Sequence, residues 1–260
     1  TMPLFDLSDK VVLVTGGAGL LGEMYSEAIA ESGGRSIVGD LNLEAAQRVC
    51  DKINLQYPNK AAPIYLNVLD KDSIINVLAV NPDINVLINN AAIDPKVTAS
   101  GGPSGLFESL SLDEWDLSVD VMLKGTFLCS QVFCPHFKKN GGGVVINISS
   151  DLGVISPDQR IYKDSKKPIT YSAAKHGIIG MTKYLATYYA DSNVRVNSLS
   201  PGGVYTNQPQ DFVDRLSSLI PMGRMANRDE YKGSIVFLCS NASSYMTGHN
   251  LIVDGGRTVW

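Results

Sequence analysis

Two residues four apart suggest the chemistry of this chain. Tyr171-Ser-Ala-Ala-Lys175 opens a long helical pattern, and an i,i+4 spacing puts the phenol and the ammonium on one face of the helix. A phenol with a pKa of about 10 is a poor base at neutral pH, but a neighbouring cation favours the phenolate. Ser150 follows the apolar run Val144-Val-Ile-Asn-Ile-Ser149, and its hydroxyl can donate to the same oxygen that the phenol would serve. Serine, tyrosine and lysine in this order suit proton transfer to or from an alcohol or carbonyl oxygen.

A second Tyr-x-x-x-Lys, Tyr162 to Lys166, is nearer to Ser150 in sequence. Pro168 breaks any helix begun at Tyr162, whereas Tyr171 leads an uninterrupted amphipathic pattern (Ile178, Ile179, Met181, Leu185) into Val194-Arg-Val-Asn197. Tyr171 is the expected catalytic phenol. Tyr162 is expected to face substrate or solvent from a long loop before that helix.

The partner for such a site is written near the N-terminus. The run Val11–Thr15 leads into Gly16-Gly-Ala-Gly19-Leu-Leu-Gly22 and then into a helical stretch, Glu23 to Glu31. Gly16 permits a tight turn, Gly19 lets the backbone approach a pyrophosphate, and Gly22 lets the helix pack closely, with its first amides facing the phosphates. Asp40 ends the second predicted strand, where a carboxylate accepts hydrogen bonds from adenosine ribose hydroxyls and repels a 2′-phosphate. No Arg or Lys stands in Leu41-Asn42-Leu43, so NAD(H) is expected rather than NADP(H). Asn42 is available to cap the following helix, which leaves Asp40 for the ribose.

These residues need a scaffold, and the apolar pattern supplies one. Val11–Thr15, Ser36–Gly39, Pro63–Leu66, Asn85–Asn89, Val144–Ser149, Val194–Leu199 and Leu251–Val253 read as strands separated by helical stretches. Strands apolar on both faces and alternating with helices imply a doubly wound, Rossmann-type α/β fold: a parallel sheet of about seven strands with helices on both faces. Without a linker-like tract or internal repeat, residues 1–260 read as a single domain. Aperiodic stretches at 94–107, 151–168 and 202–220 follow strands and are candidate substrate loops.

Composition narrows the partners. The net charge is −4, from 22 Lys and Arg against 26 Asp and Glu, which gives no global field for a nucleic acid or an anionic membrane. The four cysteines form no Cys-x-x-Cys pair and there are three histidines, so neither a disulfide framework nor a metal site is signalled. No leader sequence or run of membrane-spanning length is expected. Free thiols point to an intracellular, cytoplasmic protein.

Thr15–Gly22, Asp40, Asn89-Asn-Ala-Ala92, Asn147-Ile-Ser-Ser150, Tyr171-x-x-x-Lys175, Arg195-Val-Asn197, Ser200-Pro-Gly202 with Thr206, and Thr247-Gly248 with Asp254-Gly-Gly256 together resemble the short-chain dehydrogenase/reductase family over nearly the whole chain. The resemblance implies an NAD(H)-dependent oxidoreductase that interconverts a secondary alcohol and a ketone, with Ser150, Tyr171 and Lys175 catalytic. It implies that Asn67 and Val68 flank the adenine, that Asn89 and Ala91 line the cofactor, and that Val204 and Thr206 hold the nicotinamide carboxamide. Leu20, Leu21, Leu41, Pro201 and Gly202 join the three glycines and Asp40 as cofactor contacts. Family members of this length are usually tetramers or dimers, so a homo-oligomer acting on a small-molecule substrate is expected.

Three departures qualify the match. The glycine spacing is that of the extended sugar-nucleotide branch, which raises an epimerase or dehydratase as an alternative, although the chain shows no substrate domain for one. Ala92 stands where a glycine is usual. Met122 stands where the family generally has a fourth catalytic residue, an asparagine, and a thioether cannot hold a relay water strongly. Either a backbone carbonyl does that work in an active enzyme, or the chain binds cofactor with weak or no catalysis. Asp94-Pro-Lys96 and the insert before Tyr171 resemble the bacterial subgroup named flagellin-modification protein A, linked to surface-sugar synthesis. The insert carries Arg160, Lys163, Lys166 and Lys167 against Asp164. Such a loop reads first as a solvated surface; the alternative is a lid with Arg160 as anion clamp, from which a polar, sugar-like or acidic substrate is expected.

Overall fold

A computed structural model describes residues 3–93, 106–163 and 165–260. Most of the 94–107 loop, with Asp94 and Lys96, and also Asp164 lie outside the described residues. All seven expected strands are present: β1 (Val11–Thr15), β2 (Arg35–Asp40), β3 (Ala61–Tyr65), β4 (Val86–Asn89), β5 (Gly143–Ile148), β6 (Val194–Pro201) and β7 (Asn250–Val253). They form one parallel sheet in the order β3-β2-β1-β4-β5-β6-β7. This is the doubly wound single domain the apolar pattern implies. Its order reverses between β1 and β4, and ligands in such sheets bind outside the carboxyl ends of the strands at that reversal.

The two-residue period of the strands divides the core. Val12, Val14, Val86, Ile88, Val144, Ile146 and Ile148 face α1 (Leu20–Glu31) and α8 (Lys232–Cys239). Leu13, Leu87 and Val145 face the other way, onto α3 (Lys71–Val80), α5 (Gly125–Lys139) and α6 (Ile169–Tyr188). On the first face α2 (Leu43–Gln56) covers Val38 and Ala61. It is capped by Asn42, whose side chain accepts from Ala45 N, as expected.

Helix α4 (Leu112–Val119) begins at a Ser111/Glu114 capping box and runs through a single π turn, Asp120–Lys124, into α5. The resulting helix of 28 residues is long and apolar enough to cross a membrane, contrary to the expectation of no such run. One face of it is used internally, since Cys129, Phe133, Cys134 and Phe137 are buried against the sheet, while Leu112, Leu117 and Phe127 are exposed. All four cysteines are buried and free. Burial pushes each thiol up to about 12, so none is a nucleophile at neutral pH.

Candidate active site

Helix α6 begins directly after Pro168, whose carbonyl accepts from Tyr171 N at 3.2 Å. The phenol and Lys175 therefore lie one turn apart at its N-terminal end. Lys175 is 3% exposed, and its Nζ donates to Ile148 O, at the end of β5, at 2.8 Å. That ammonium stands 5.6 Å from the centroid of the Tyr171 ring. Ser149 Oγ donates to Lys175 O at 2.8 Å, and Gly153 packs against the same two groups so closely that a Cβ there would lie 2.4 Å from Ser149 Oγ. The turn carrying Ser150 is thus fastened to the first turns of α6. Ser150 is buried and donates to Asp151 Oδ1 at 2.8 Å while accepting from Leu152 N at 3.1 Å.

The glycine turn after β1 lies on the same carboxyl edge of the sheet, two strand positions away. Gly16 has φ +59°, and a Cβ there would lie 2.8 Å from Ala91 Cα, while a Cβ on Gly22 would lie 2.4 Å from Gly16 O. Both positions demand glycine. Among the described residues only Gly16 O, at 3.3 Å, would meet a Cβ on Gly19, which leaves there the open backbone that an approaching phosphate needs. Asp40 accepts from Ala18 N and Asn42 N at 3.0 Å each, and a carboxylate retains further lone pairs for hydroxyl donors. Leu20 and Leu41 are exposed along this edge, Leu21 is half-buried, and Val68 is buried against Gly125. Asn67 is half-buried and turns its Oδ1 onto Leu69 N.

Two residues stitch the cleft together without having been singled out from sequence. Asn90 Nδ2 donates to Thr15 O and Gly16 O at 3.0 Å, while Thr15 Oγ1 accepts from Asn90 N and Ala91 N. Gln208 donates to Val204 O and accepts from Thr206 N, holding the loop after β6. Pro201 ends β6, and Gly202 lies so close to Asp254 that a Cβ would reach its Cα at 2.8 Å. The Asn89 side chain points inward, donating to Asn147 Oδ1 at 2.8 Å and Ser130 Oγ at 3.2 Å, and its own Oδ1 is buried without a partner among the described residues. Glycine cradle, open phosphate approach and spare carboxylate lone pairs fit a dinucleotide spanning from Asp40 to Tyr171.

A family model described as Enoyl-(Acyl carrier protein) reductase matches residues 20–258. The chain belongs to the short-chain dehydrogenase/reductase family. It is 31% identical to an NAD-dependent glycerol dehydrogenase of Listeria innocua, over 98% of this chain and 96% of that one. A D-threitol dehydrogenase of Mycolicibacterium smegmatis is 32% identical, over 98% and 95%. The crystal structure of a gluconate 5-dehydrogenase from Burkholderia cenocepacia, in complex with NADP and tartrate, superposes with a TM-score of 0.87 at 25% identity, covering 99% of this chain and 98% of the other. This short-chain dehydrogenase/reductase is an oxidoreductase.

Met122 lies in the π turn of the α4–α5 helix and is 1% exposed. A π turn widens the helix by one residue and recurs at functional sites. The Met122 carbonyl accepts from Thr126 Oγ1 at 2.7 Å. Restoring the family residue with Met122→Asn is expected to raise the turnover number or leave it unchanged, with cofactor affinity unaltered. Single-turnover hydride transfer measures this. A tenfold loss, about 1.4 kcal/mol in the chemical step, would show that Met122 acts in its own right.

The insert at 151–168 and the stretch 202–220 pack against each other. The latter contains a helix that sequence reading left as loop, α7 (Gln210–Ser217). Ile161, Phe212, Leu216, Ile220 and Met225 form a separate apolar cluster beneath them. Tyr162, expected to face substrate or solvent, is half-buried and packs its ring 5.7 Å from Phe212. Arg160, the candidate clamp, is met within its own loop: Nε and Nη2 donate to Asp158 at 2.6–3.2 Å. Those bonds hold the Asp158 carboxyl down at about 2. Lys163 pairs with Asp211. The insert's cation that reaches the active centre is Lys167, whose Nζ stands 4.0 Å from the centroid of the Tyr171 ring.

Proposed function

We propose that this protein interconverts a polar, sugar-like or acidic secondary alcohol and its ketone, using NAD(H). The observation that carries the reading is the fastening of Ser150, Tyr171 and buried Lys175 at the end of β5, on the same carboxyl edge of the sheet as the glycine cradle and Asp40. NAD, when bound, supplies the acceptor for the hydride from the carbinol carbon. Tyr171 takes the hydroxyl proton at its phenolic oxygen and returns it in the reverse direction. Lys175 keeps positive charge beside the phenol, which favours its ionised form. Ser150 steadies the substrate oxygen while charge develops on it.

Asp40 supports NAD over NADP, since a second negative charge at the ribose would be repelled. The polar substrate is supported by Lys167 over Tyr171 and by relatives named for glycerol and D-threitol. Lys167→Gln is expected to raise the Michaelis constant about tenfold or more for carboxylate-bearing substrates, because a charge-assisted hydrogen bond contributes about 1.5–3 kcal/mol. Neutral alcohols should change little, and equal effects on both classes would count against an anion-recognising lid. We further read the enzyme as a cytoplasmic homo-oligomer, dimer or tetramer, with Leu112, Leu117, Phe127, Tyr184 and Tyr188 as exposed apolar surface on α4, α5 and α6 available for association.

Met122 favours a second reading, a cofactor-binding protein without turnover. Titration with NADH and NADPH, followed by a screen of secondary alcohols and nucleotide sugars, separates the possibilities. Tighter NADH binding with oxidation of polyols or hydroxy acids is expected. Binding without turnover of any alcohol would favour the second reading, and turnover of nucleotide sugars alone would favour an epimerase or dehydratase.

A further inference from the structure

The carboxylate behind Ser150 belongs to a buried chain of charges that the proposed chemistry has not used. Asp151 is 3% exposed and Arg257 is 5% exposed, and Arg257 Nη1 donates to Asp151 Oδ2 at 2.8 Å. The other carboxylate oxygen, Oδ1, accepts from Ser150 Oγ and from Leu152 N, both at 2.8 Å. Arg257 Nη2 is buried without a partner among the described residues. A buried ion pair that leaves a guanidinium nitrogen unsatisfied is a poor stabilising device, because desolvation offsets most of the Coulombic gain. Its placement needs a different reason.

The structure also shows how Arg257 is delivered. Asp254 accepts from Gly256 N at 2.8 Å and from Thr258 N at 2.7 Å, curling the tail into a tight turn. Gly256 packs against Pro221 so closely that a Cβ would lie 2.9 Å from its ring, and Trp260 Nε1 donates to Leu219 O at 3.0 Å. The tail is therefore pinned to the segment that follows α7, and from there Arg257 reaches across to the serine turn.

We propose that Asp151 and Arg257 are positioning residues: Arg257 fixes the Asp151 carboxylate, and that carboxylate fixes the orientation of the Ser150 hydroxyl toward the arriving substrate oxygen. The inference rests on the proposed function in that Ser150 is the group steadying that oxygen. With its proton on Asp151 Oδ1 and one lone pair on Leu152 N–H, Ser150 has one lone pair left to accept a hydrogen bond from an alcohol. As the oxygen gains negative charge, the Ser150 proton swings from Asp151 to it. Arg257 draws charge from the carboxylate and makes it the weaker competitor for that proton.

The test compares Arg257→Met, Arg257→Lys and the double variant Asp151→Leu with Arg257→Met. Single-turnover hydride transfer, NADH affinity, thermal melting and the Ser150 rotamer in high-resolution crystal structures are measured. Arg257→Met is expected to slow hydride transfer about tenfold or more at saturating substrate, as misplacement of a reacting group does, with NADH affinity held. Arg257→Lys should recover part of the rate. The double variant leaves no unpaired buried charge and should melt near the unmodified protein, yet remain slow, with Ser150 Oγ displaced from Leu152 N. A double variant with the original rate, or variants whose Ser150 rotamer is unchanged, would overturn the proposal. Failure of the unmodified protein to oxidise any alcohol would count against the proposed function alone, since the Ser150 rotamer still decides this one.

Discussion

Tyr171→Phe is expected to slow hydride transfer by about a thousandfold or more, within the range lost when a positioned acid and base is removed, while NADH still binds. The phenyl ring keeps its place at the start of α6, beside Lys175 and under Lys167, so the variant removes one oxygen and little packing. Tyr162→Phe is the matched control. That ring packs on Phe212, and the variant should keep substantial activity. Cofactor titration and single-turnover transfer on both variants check the pair. If Tyr162→Phe were the inactive one, the assignment of the active-site helix would be wrong.

Asp40→Ala is expected to weaken NADH binding by about 10- to 100-fold, because hydrogen bonds to a charged group contribute about 1.5–3 kcal/mol each. NADPH should lose far less, since the charge that repels its phosphate goes with the carboxylate. The structure adds a complication, because Asp40 also holds Ala18 N at the glycine turn and Asn42 N. Asp40→Asn retains a carbonyl oxygen for those amides, so it separates loosening of the turn from loss of charge. Equal or tighter binding of NADPH by the unmodified protein would refute the preference.

The seven strands were legible because central parallel strands are buried on both faces and therefore show as short β-branched runs. In the structure Val12 and Val14 meet one helix layer and Leu13 the other. Tyr171 could be separated from Tyr162 because Pro168 suits the start of a helix and is costly in the interior of one. Other features left no periodic trace. The π turn at Asp120–Lys124 inserts one residue into an otherwise regular helix, and α7 was hidden behind the glycine- and proline-rich approach from Gly202 to Pro209. Arg160 looked available because charge counting does not show that Asp158 lies within reach of the same turn. The link from Arg257 to Asp151 joins opposite ends of the catalytic half of the chain, and only packing brings them together.

Transfer of deuterium bears most directly on the central claim. A polyol or hydroxy acid deuterated at the carbinol carbon is incubated with the protein and NAD, and the nicotinamide ring is analysed for label. The account predicts deuterium on the reduced ring with the unmodified protein and with Tyr162→Phe, and almost none with Tyr171→Phe. Absence of label from every secondary alcohol while NAD remains bound, or label that passes to NADP in preference to NAD, would contradict it.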